Sequence, residues 1–377
     1  MKILLAPDKF KGALSAQGVC DALTEGIRLA APEAEVVALP LADGGEGTAA
    51  LLTQHSQGTT ETVTVHDPLF RPIAATYGLS GDGQTAYLEM AQASGWALLE
   101  AHERDCLHTT TLGTGELIRA ALERGAKKII LGIGGSATND LGIGMASALG
   151  YRFYDADMRD VKPIGANLAY IRRIDTRELI FDPNEISVQV ACDVDNPLFG
   201  PQGAAYVYAP QKGASPEAVA QLDEGLRHLS VVLQQQLGTD VADLPGAGAA
   251  GGLGGGAVAF LGAQLVPGAT LVMQQTHFLQ HLAGVDLVIT GEGKLDAQTA
   301  QGKVVSQVAA AARAQNIPVA AVCGTLEATP AALRQMGLTF ASSVLTAPMT
   351  LEEALPRTRD DVMHWAFQLV NLFIAAN

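Results

Sequence analysis

Short apolar runs, many rich in β-branched residues, recur along the chain at 3–6, 36–39, 128–133, 188–191, 285–290, 318–322 and 341–345. Between several of them the apolar positions fall at helical spacing instead. Val19, Ala22, Leu23 and Ile27 follow Ser15, a residue suited to capping a helix. A second helix is expected from Thr114 through Leu122, closed by Gly125, and a third over 304–314, with Pro318 opening the next strand. Strands and helices in alternation predict parallel sheets covered on both faces, so the fold class is α/β. Residues 59–90 read differently: 62–65, 75–78 and 86–90 alternate in the manner of antiparallel strands. The first strand and the last three look alike. This predicts a discontinuous Rossmann-like α/β domain from 1–65 plus 280–377, with 66–279 inserted as a second α/β domain.

Ligands of parallel α/β sheets sit outside the carboxyl ends of the strands, so the residues after each run are the place to look for chemistry. PDKFKG follows the first run and PLADGGEGT the second; GIGGSATND, CDVDNPLFGPQGA and GEGKLDAQT follow three others. Each could be an ordinary polar turn, since Gly, Asp and Asn are turn residues. Five strand ends that each carry glycine with carboxylates, hydroxyls or lysines are harder to dismiss as turns.

GIGGSATND admits two readings. Gly132, Gly134 and Ala137 satisfy a relaxed dinucleotide fingerprint, with Asp155 about twenty residues on, which keeps a nicotinamide-dependent oxidoreductase of a small hydroxy acid as an alternative. The same backbone amides, with Ser136 and Thr138, would hold the phosphates of a nucleotide equally well. No G-x-x-x-x-G-K-[ST] stretch occurs, so an ATP site here is not a P-loop.

Composition narrows the choice. The chain has 377 residues and a formal net charge of −15, from 39 acidic against 24 basic side chains. Such a field repels polyanions, and without a basic patch a nucleic-acid partner is not expected. An anionic small molecule remains compatible if basic residues are concentrated locally, which draws attention to Lys9 and Lys11. The four cysteines are widely spaced and form no metal-binding pattern, which fits a reducing cytoplasm, and no signal peptide is evident. From Leu244 to Val285 there is no Asp, Glu, Lys or Arg, but seven of the twenty residues 247–266 are glycine, so a Gly-rich turn leading into a packed helix is expected, not a membrane span.

Lysines beside carboxylates in Gly-rich loops suit phosphoryl transfer. That step needs cations on the moving phosphoryl group, carboxylates for Mg²⁺ and one base at the acceptor hydroxyl. The histidines that a dehydrogenase would favour lie outside these loops; His66 is the nearest, and a turn or capping role is expected for it.

At these residues a resemblance becomes specific. APDKFKG, PLADGGEGT, LGTGELI, GIGGSATND, ACDVDNPLFGPQGA, APQKGA, GAGAAGGLG and TGEGKLDAQTAQGK resemble the bacterial glycerate kinase family, of the glycerate 2-kinase type, in order and spacing across essentially the whole chain. The resemblance implies two α/β domains with the active site in the cleft between them. It implies phosphorylation of D-glycerate by ATP with Mg²⁺ to give 2-phosphoglycerate, in glyoxylate or sugar-acid catabolism. Glycerate 3-kinase activity and a non-catalytic ligand-binding protein stay as alternatives, and a homo-oligomer is compatible with the reading.

Roles are expected as follows. Asp8, Lys9, Asp193 and Asp296 are the candidate catalytic residues, with Asp193 the first candidate for Mg²⁺ or for the general base and Asp296 the second. Lys11, Arg71 and Asp43 are expected at the substrate, although Arg71 would serve as readily in a surface salt bridge and Asp193 or Asp296 in bonding turn amides. Gly134, Gly135, Ser136, Thr138, Asn139 and Lys294 are expected at the nucleotide; Lys303 could reach phosphates, and Glu46 could line the site. The family pattern favours glycine at two loop positions held here by Leu141 and Phe70. Altered packing is expected there, unless a strained backbone matters to nucleotide affinity.

Overall fold

The computed structural model describes residues 1–296, 299 and 302–376. Its strands, in chain order, are β1 (Lys2–Leu5), β2 (Glu35–Ala38), β3 (Thr59–His66), β4 (Pro72–Leu79), β5 (Thr85–Glu89), β6 (Lys128–Gly132), β7 (Arg152–Tyr154), β8 (Arg173–Asp175), β9 (Ser187–Ala191), β10 (Gln264–Val266), β11 (Leu287–Leu295), β12 (Val319–Leu326) and β13 (Phe340–Ser343). All seven apolar runs of the sequence coincide with strands; β1, β6, β11 and β12 are largely buried, whereas β2 and β13, at the sheet edges, are partly exposed.

The chain divides into two compact units, Met1–Asp43 with Ala269–Asn377, and Gly44–Gly268. Residues 44–65, grouped with the chain ends on sequence grounds, therefore lie in the second unit, and residues 269–279 lie in the first. The first unit holds a wholly parallel sheet in the order β13-β12-β11-β1-β2. Ser15 caps the helix Ala16–Ala30 by accepting from the Gly18 amide at 3.1 Å. That helix buries Val19, Cys20, Leu23 and Ile27 with Ile3, Ile289, Val322 and Trp365. Each such aliphatic side chain contributes about 1.5–3 kcal/mol on burial.

One expectation needs correction here. The sequence places the loop GEGKLDAQT directly after a strand ending at Thr290, yet β11 continues to Leu295 and pairs with β12 through Lys294 opposite Thr325 and Leu295 opposite Leu326. The apolar run stops where the strand does not, because ladder hydrogen bonds need no apolar side chain and Glu292 finds its own partner inside.

The second unit holds a mixed sheet in the order β10-β9-β6-β5-β4-β3. β3 and β4 are antiparallel, as are β4 and β5, while β5, β6, β9 and β10 run parallel. The change of pattern at 59–90 thus marks an antiparallel extension of a parallel sheet. The Gly-rich stretch is a run of turns entering the helix Leu253–Leu261, most of it buried. Among the described residues no helix is long and apolar enough to cross a membrane. The glycines serve backbone packing instead. A Cβ on Gly251, itself at φ 70°, would lie 2.0 Å from the Thr138 carbonyl oxygen, and one on Gly256 would lie 2.1 Å from that of Leu141. Only glycine lets this segment press against residues 138–141.

Candidate active site

At the carboxyl edge of the parallel sheet in the first unit, β1 runs into Pro7 and Asp8. The Asp8 amide donates to the Gly291 carbonyl at 2.8 Å, which keeps this turn against β11, and the Asp8 carboxylate accepts from the Lys9 amide at 2.6 Å. Asp8 is buried, and its pKa is pushed up to about 7. Burial is the main cause, and the carboxylates of Asp43 and, more weakly, Glu292 add repulsion, against the Lys9 amide and ammonium, which favour the anion. Glu292 is likewise buried and raised, although the Thr299 hydroxyl donates to it at 2.6 Å and Lys303 lies close enough to oppose the shift. Three carboxylates, two from the loops after β1 and β2 and one from within β11, therefore share one region of this unit.

The other candidates of this unit are placed as follows. Lys9 is half-buried and Lys11 exposed. Asp296 donates its amide to the Thr299 hydroxyl at 3.1 Å and pairs with Lys294 at 3.7 Å; Lys294 is more closely held by Glu327, at 2.8 Å. Part of the motif that supplies Asp296, residues 297, 298, 300 and 301, lies outside the described residues.

In the second unit the corresponding edge follows β5, β6 and β9. Glu89, at the end of β5, accepts from the amides of Gly47 and Ala49, both at 2.9 Å, and so carries the first turn of the helix Thr48–His55. Glu46 is exposed on the same loop. After β6, Gly134 and Gly135 are exposed, whereas Ser136, Thr138, Asn139 and Asp140 are buried. The Gly135 carbonyl accepts from the Trp96 amide at 2.9 Å. Asp140 accepts from the Thr111 amide and hydroxyl, both at 2.8 Å, and from the amides of Gly142 and Gly144. Burial raises its pKa and those four donors work against the rise.

Lys212, from the APQKGA segment, is buried and donates to the Ser136 hydroxyl at 2.6 Å and to the Thr138 carbonyl at 2.8 Å. Burial pulls its pKa down to about 8. The Thr138 hydroxyl and both polar atoms of the Asn139 amide are buried and have no hydrogen-bond partner among the described residues. Buried polar groups are almost always satisfied, so a cluster of unsatisfied ones marks a position that something polar fills. Neither Lys212 nor Asp140 is singled out by the sequence reading. The lysine sits between two turn residues and has no carboxylate nearby in the chain, so nothing local marks it as buried.

Asp193 is exposed at the end of β9 and accepts from the Gly268 amide at 2.8 Å, where the helix Gly268–Gln275 begins. Arg71 is committed to Asp67 at 2.5 Å and to Glu103 at 2.6 Å, the surface salt bridge that the sequence left open. His66 pairs with Glu116 at 2.8 Å, a structural role. The dinucleotide fingerprint is not supported. The helix after β6 begins only at Ile143 and has six residues, and Asp155 accepts the amides of Asp157 and Arg159 in a turn. A pyrophosphate would have no helix amino terminus at GIGG to sit on. Among the described residues no group of three or more His, Cys, Asp or Glu is arranged to hold a metal ion.

A family model, that of the glycerate kinase family, matches residues 3–374. The chain belongs to the glycerate kinase family. A glycerate kinase from Halalkalibacterium halodurans is 45% identical over 353 residues, 94% of this chain and 93% of its own. A glycerate 2-kinase from Escherichia coli K12 is 44% identical over 362 residues, 96% of this chain and 95% of its own. The crystal structure of a candidate glycerate kinase 2 from Salmonella typhimurium LT2 superposes with a TM-score of 0.92 at 44% identity, covering 100% of this chain and 99% of that one. Glycerate kinases are enzymes, and the α/β fold read from the sequence is that of the family.

Proposed function

We propose that this protein transfers the terminal phosphoryl group of ATP, as its Mg²⁺ complex, to the 2-hydroxyl of D-glycerate. Membership of the glycerate kinase family and a relative named glycerate 2-kinase support the reaction and the product isomer. The observation in the molecule that carries the nucleotide half of the reading is the set of buried, unpartnered polar atoms on Thr138 and Asn139 beside buried Lys212. The Thr138 hydroxyl and the Asn139 Nδ2 would donate to an anionic oxygen group, which Gly134, Gly135 and Ser136 would help bind through backbone amides and a hydroxyl.

Asp8 is the general base in this reading. Its pKa near 7 is matched to accepting a proton from a hydroxyl at neutral pH, whereas an ordinary aspartate would be too weak a base. Lys9 and Lys11 supply positive charge for the substrate carboxylate or the transferring group, and Asp43 lines the same region. Mg²⁺ holds few protein ligands when it arrives with nucleotide phosphates, so one carboxylate suffices; Asp193 is the first candidate and Asp296 the alternative. The metal would neutralise charge on the phosphoryl oxygens. Lys294, held by Glu327, contributes charge near Asp296 and is the weakest of the proposed nucleotide contacts.

Phosphorus NMR of the product formed from racemic glycerate and MgATP tests the whole reading. A 2-phosphoglycerate resonance with half the glycerate left over is expected. A 3-phosphoglycerate resonance would move the acceptor to the other hydroxyl, and no phosphate ester at all would remove the activity.

A further inference from the structure

We propose that Lys212 is the internal cation that positions residues 136–139 to receive the phosphates of a nucleotide, acting through the Ser136 hydroxyl and the Thr138 carbonyl. The proposal rests on the reading of this loop as the phosphate site.

Three observations carry it. First, Lys212 is buried without a salt bridge among the described residues, and its two hydrogen-bond acceptors are neutral. An ammonium in the interior is costly unless its charge is met, and it has three donors for those two acceptors. Second, both acceptors belong to the loop that also bears the unsatisfied Thr138 hydroxyl and Asn139 amide. One anion placed at this loop would accept from the Thr138 hydroxyl and the Asn139 Nδ2 and compensate the charge together, leaving the Asn139 Oδ1 to a separate donor. Third, the loop is held from elsewhere at several points. Gly251 packs against the Thr138 carbonyl, the Thr109 hydroxyl donates to the Ala137 carbonyl at 2.9 Å, and the Ala137 amide donates to the Ser94 carbonyl at 2.9 Å. A loop so constrained does not need a buried lysine for folding alone, and hydrophobic replacement of a buried charge is commonly neutral or stabilising.

The ionisable groups near Lys212 are Cys106 and Asp140, and the carbonyl of Arg104 lies against neighbouring Gly213. Burial pushes the Cys106 thiol up to about 11, so it stays neutral in the working range, and burial likewise raises Asp140, against the donors from Thr111, Gly142 and Gly144. The depressed pKa of Lys212, about 8, then predicts that nucleotide affinity falls as pH rises past 8.

The test is calorimetric titration of the full-length protein with MgADP at pH 7.5 and 9.5, with glycerate KM and Tm measured alongside. Wild type should lose about tenfold in ADP affinity between the two pH values. Lys212→Met should weaken ADP about tenfold or more at pH 7.5, abolish the pH dependence, leave glycerate KM within about twofold and not lower Tm. Ser136→Ala, which keeps the cation and removes one tether, should cost a few-fold in ADP affinity. Wild-type binding with a flat pH profile, or unaltered ADP binding by either variant, overturns the role of Lys212 while the phosphate reading of the loop stands. No MgADP binding by wild type overturns the phosphate reading, and this proposal with it. Should Lys212→Met fail to fold, the wild-type pH profile and Ser136→Ala decide the matter.

Discussion

The two units apply different electrostatics to the same architectural position. In each, polar residues gather where parallel strands end. In the first unit the buried charges there are carboxylates, Asp8 and Glu292 with Asp43 near by, and their mutual repulsion and burial raise proton affinity. In the second a buried lysine stands among neutral acceptors, one unsatisfied hydroxyl and one unsatisfied side-chain amide, and the buried carboxylates there, Glu89 and Asp140, are each held by backbone amides instead of facing one another. A chain of net charge −15 therefore does not spread its few cations evenly. In the proposed reading one edge takes up a proton and the other attracts an anion, two demands that phosphoryl transfer makes on a protein.

The sharpest way to break this comparison is at Asp8. Asp8→Asn retains the acceptor for the Lys9 amide and removes the base, so kcat should fall about 10²–10⁴-fold. In wild type, kcat should decline below pH 7 as Asp8 gains its proton; a profile flat from pH 5 to 8 would exclude it as the base. Stability should move the other way. The folded pKa of Asp8, about 7, lies above its unfolded value of 3.8, so the native state binds the extra proton and the wild type loses stability as pH rises from about 4 to 7. Asp8→Asn should therefore match wild type in unfolding free energy at pH 4 and exceed it at pH 8, by on the order of 2–4 kcal/mol, as read by chemical denaturation at the two pH values.

Lys9→Ala comes next. Turnover should drop by about 100-fold or more with Tm nearly unchanged, because Lys9 is half-buried and supplies charge, not packing. Normal turnover would remove Lys9 from the mechanism.

A smaller effect separates the two positions where the family pattern favours glycine. Leu141 and Phe70 both adopt left-handed backbone, at φ 52° and 65°, which costs a non-glycine residue about 1–2 kcal/mol. Leu141 is wholly buried in the core of the second unit, so Leu141→Gly should be destabilising by about 1–3 kcal/mol despite the relief. Phe70 is only half-buried, with Lys162 over its ring at 4.4 Å, and Phe70→Gly should leave stability within about 1 kcal/mol of wild type. Chemical denaturation checks both, and equal effects would deny that burial decides between them.

The smallest change is expected at Arg71. Its guanidinium is already held by two carboxylates, so Arg71→Ala should alter glycerate KM by less than about threefold. A large rise in KM would return Arg71 to the substrate.

Local pattern was enough to determine the α/β class, the seven strands that carry apolar runs, the Ser15 cap and the helix behind Gly-rich turns, but not the short strands β7, β8 and β10. These follow from apolar periodicity and turn residues, which act over a few neighbours. The tertiary structure alone decided that β11 runs on past its apolar run, that Arg71 is spent on Asp67 and Glu103, and that Asp43 and Glu292 raise the proton affinity of Asp8. It also decided that Lys212, 76 residues from Ser136, is the cation beneath the loop after β6. Burial and charge coupling depend on which distant segments meet, and neither quantity is a property of any short stretch of sequence.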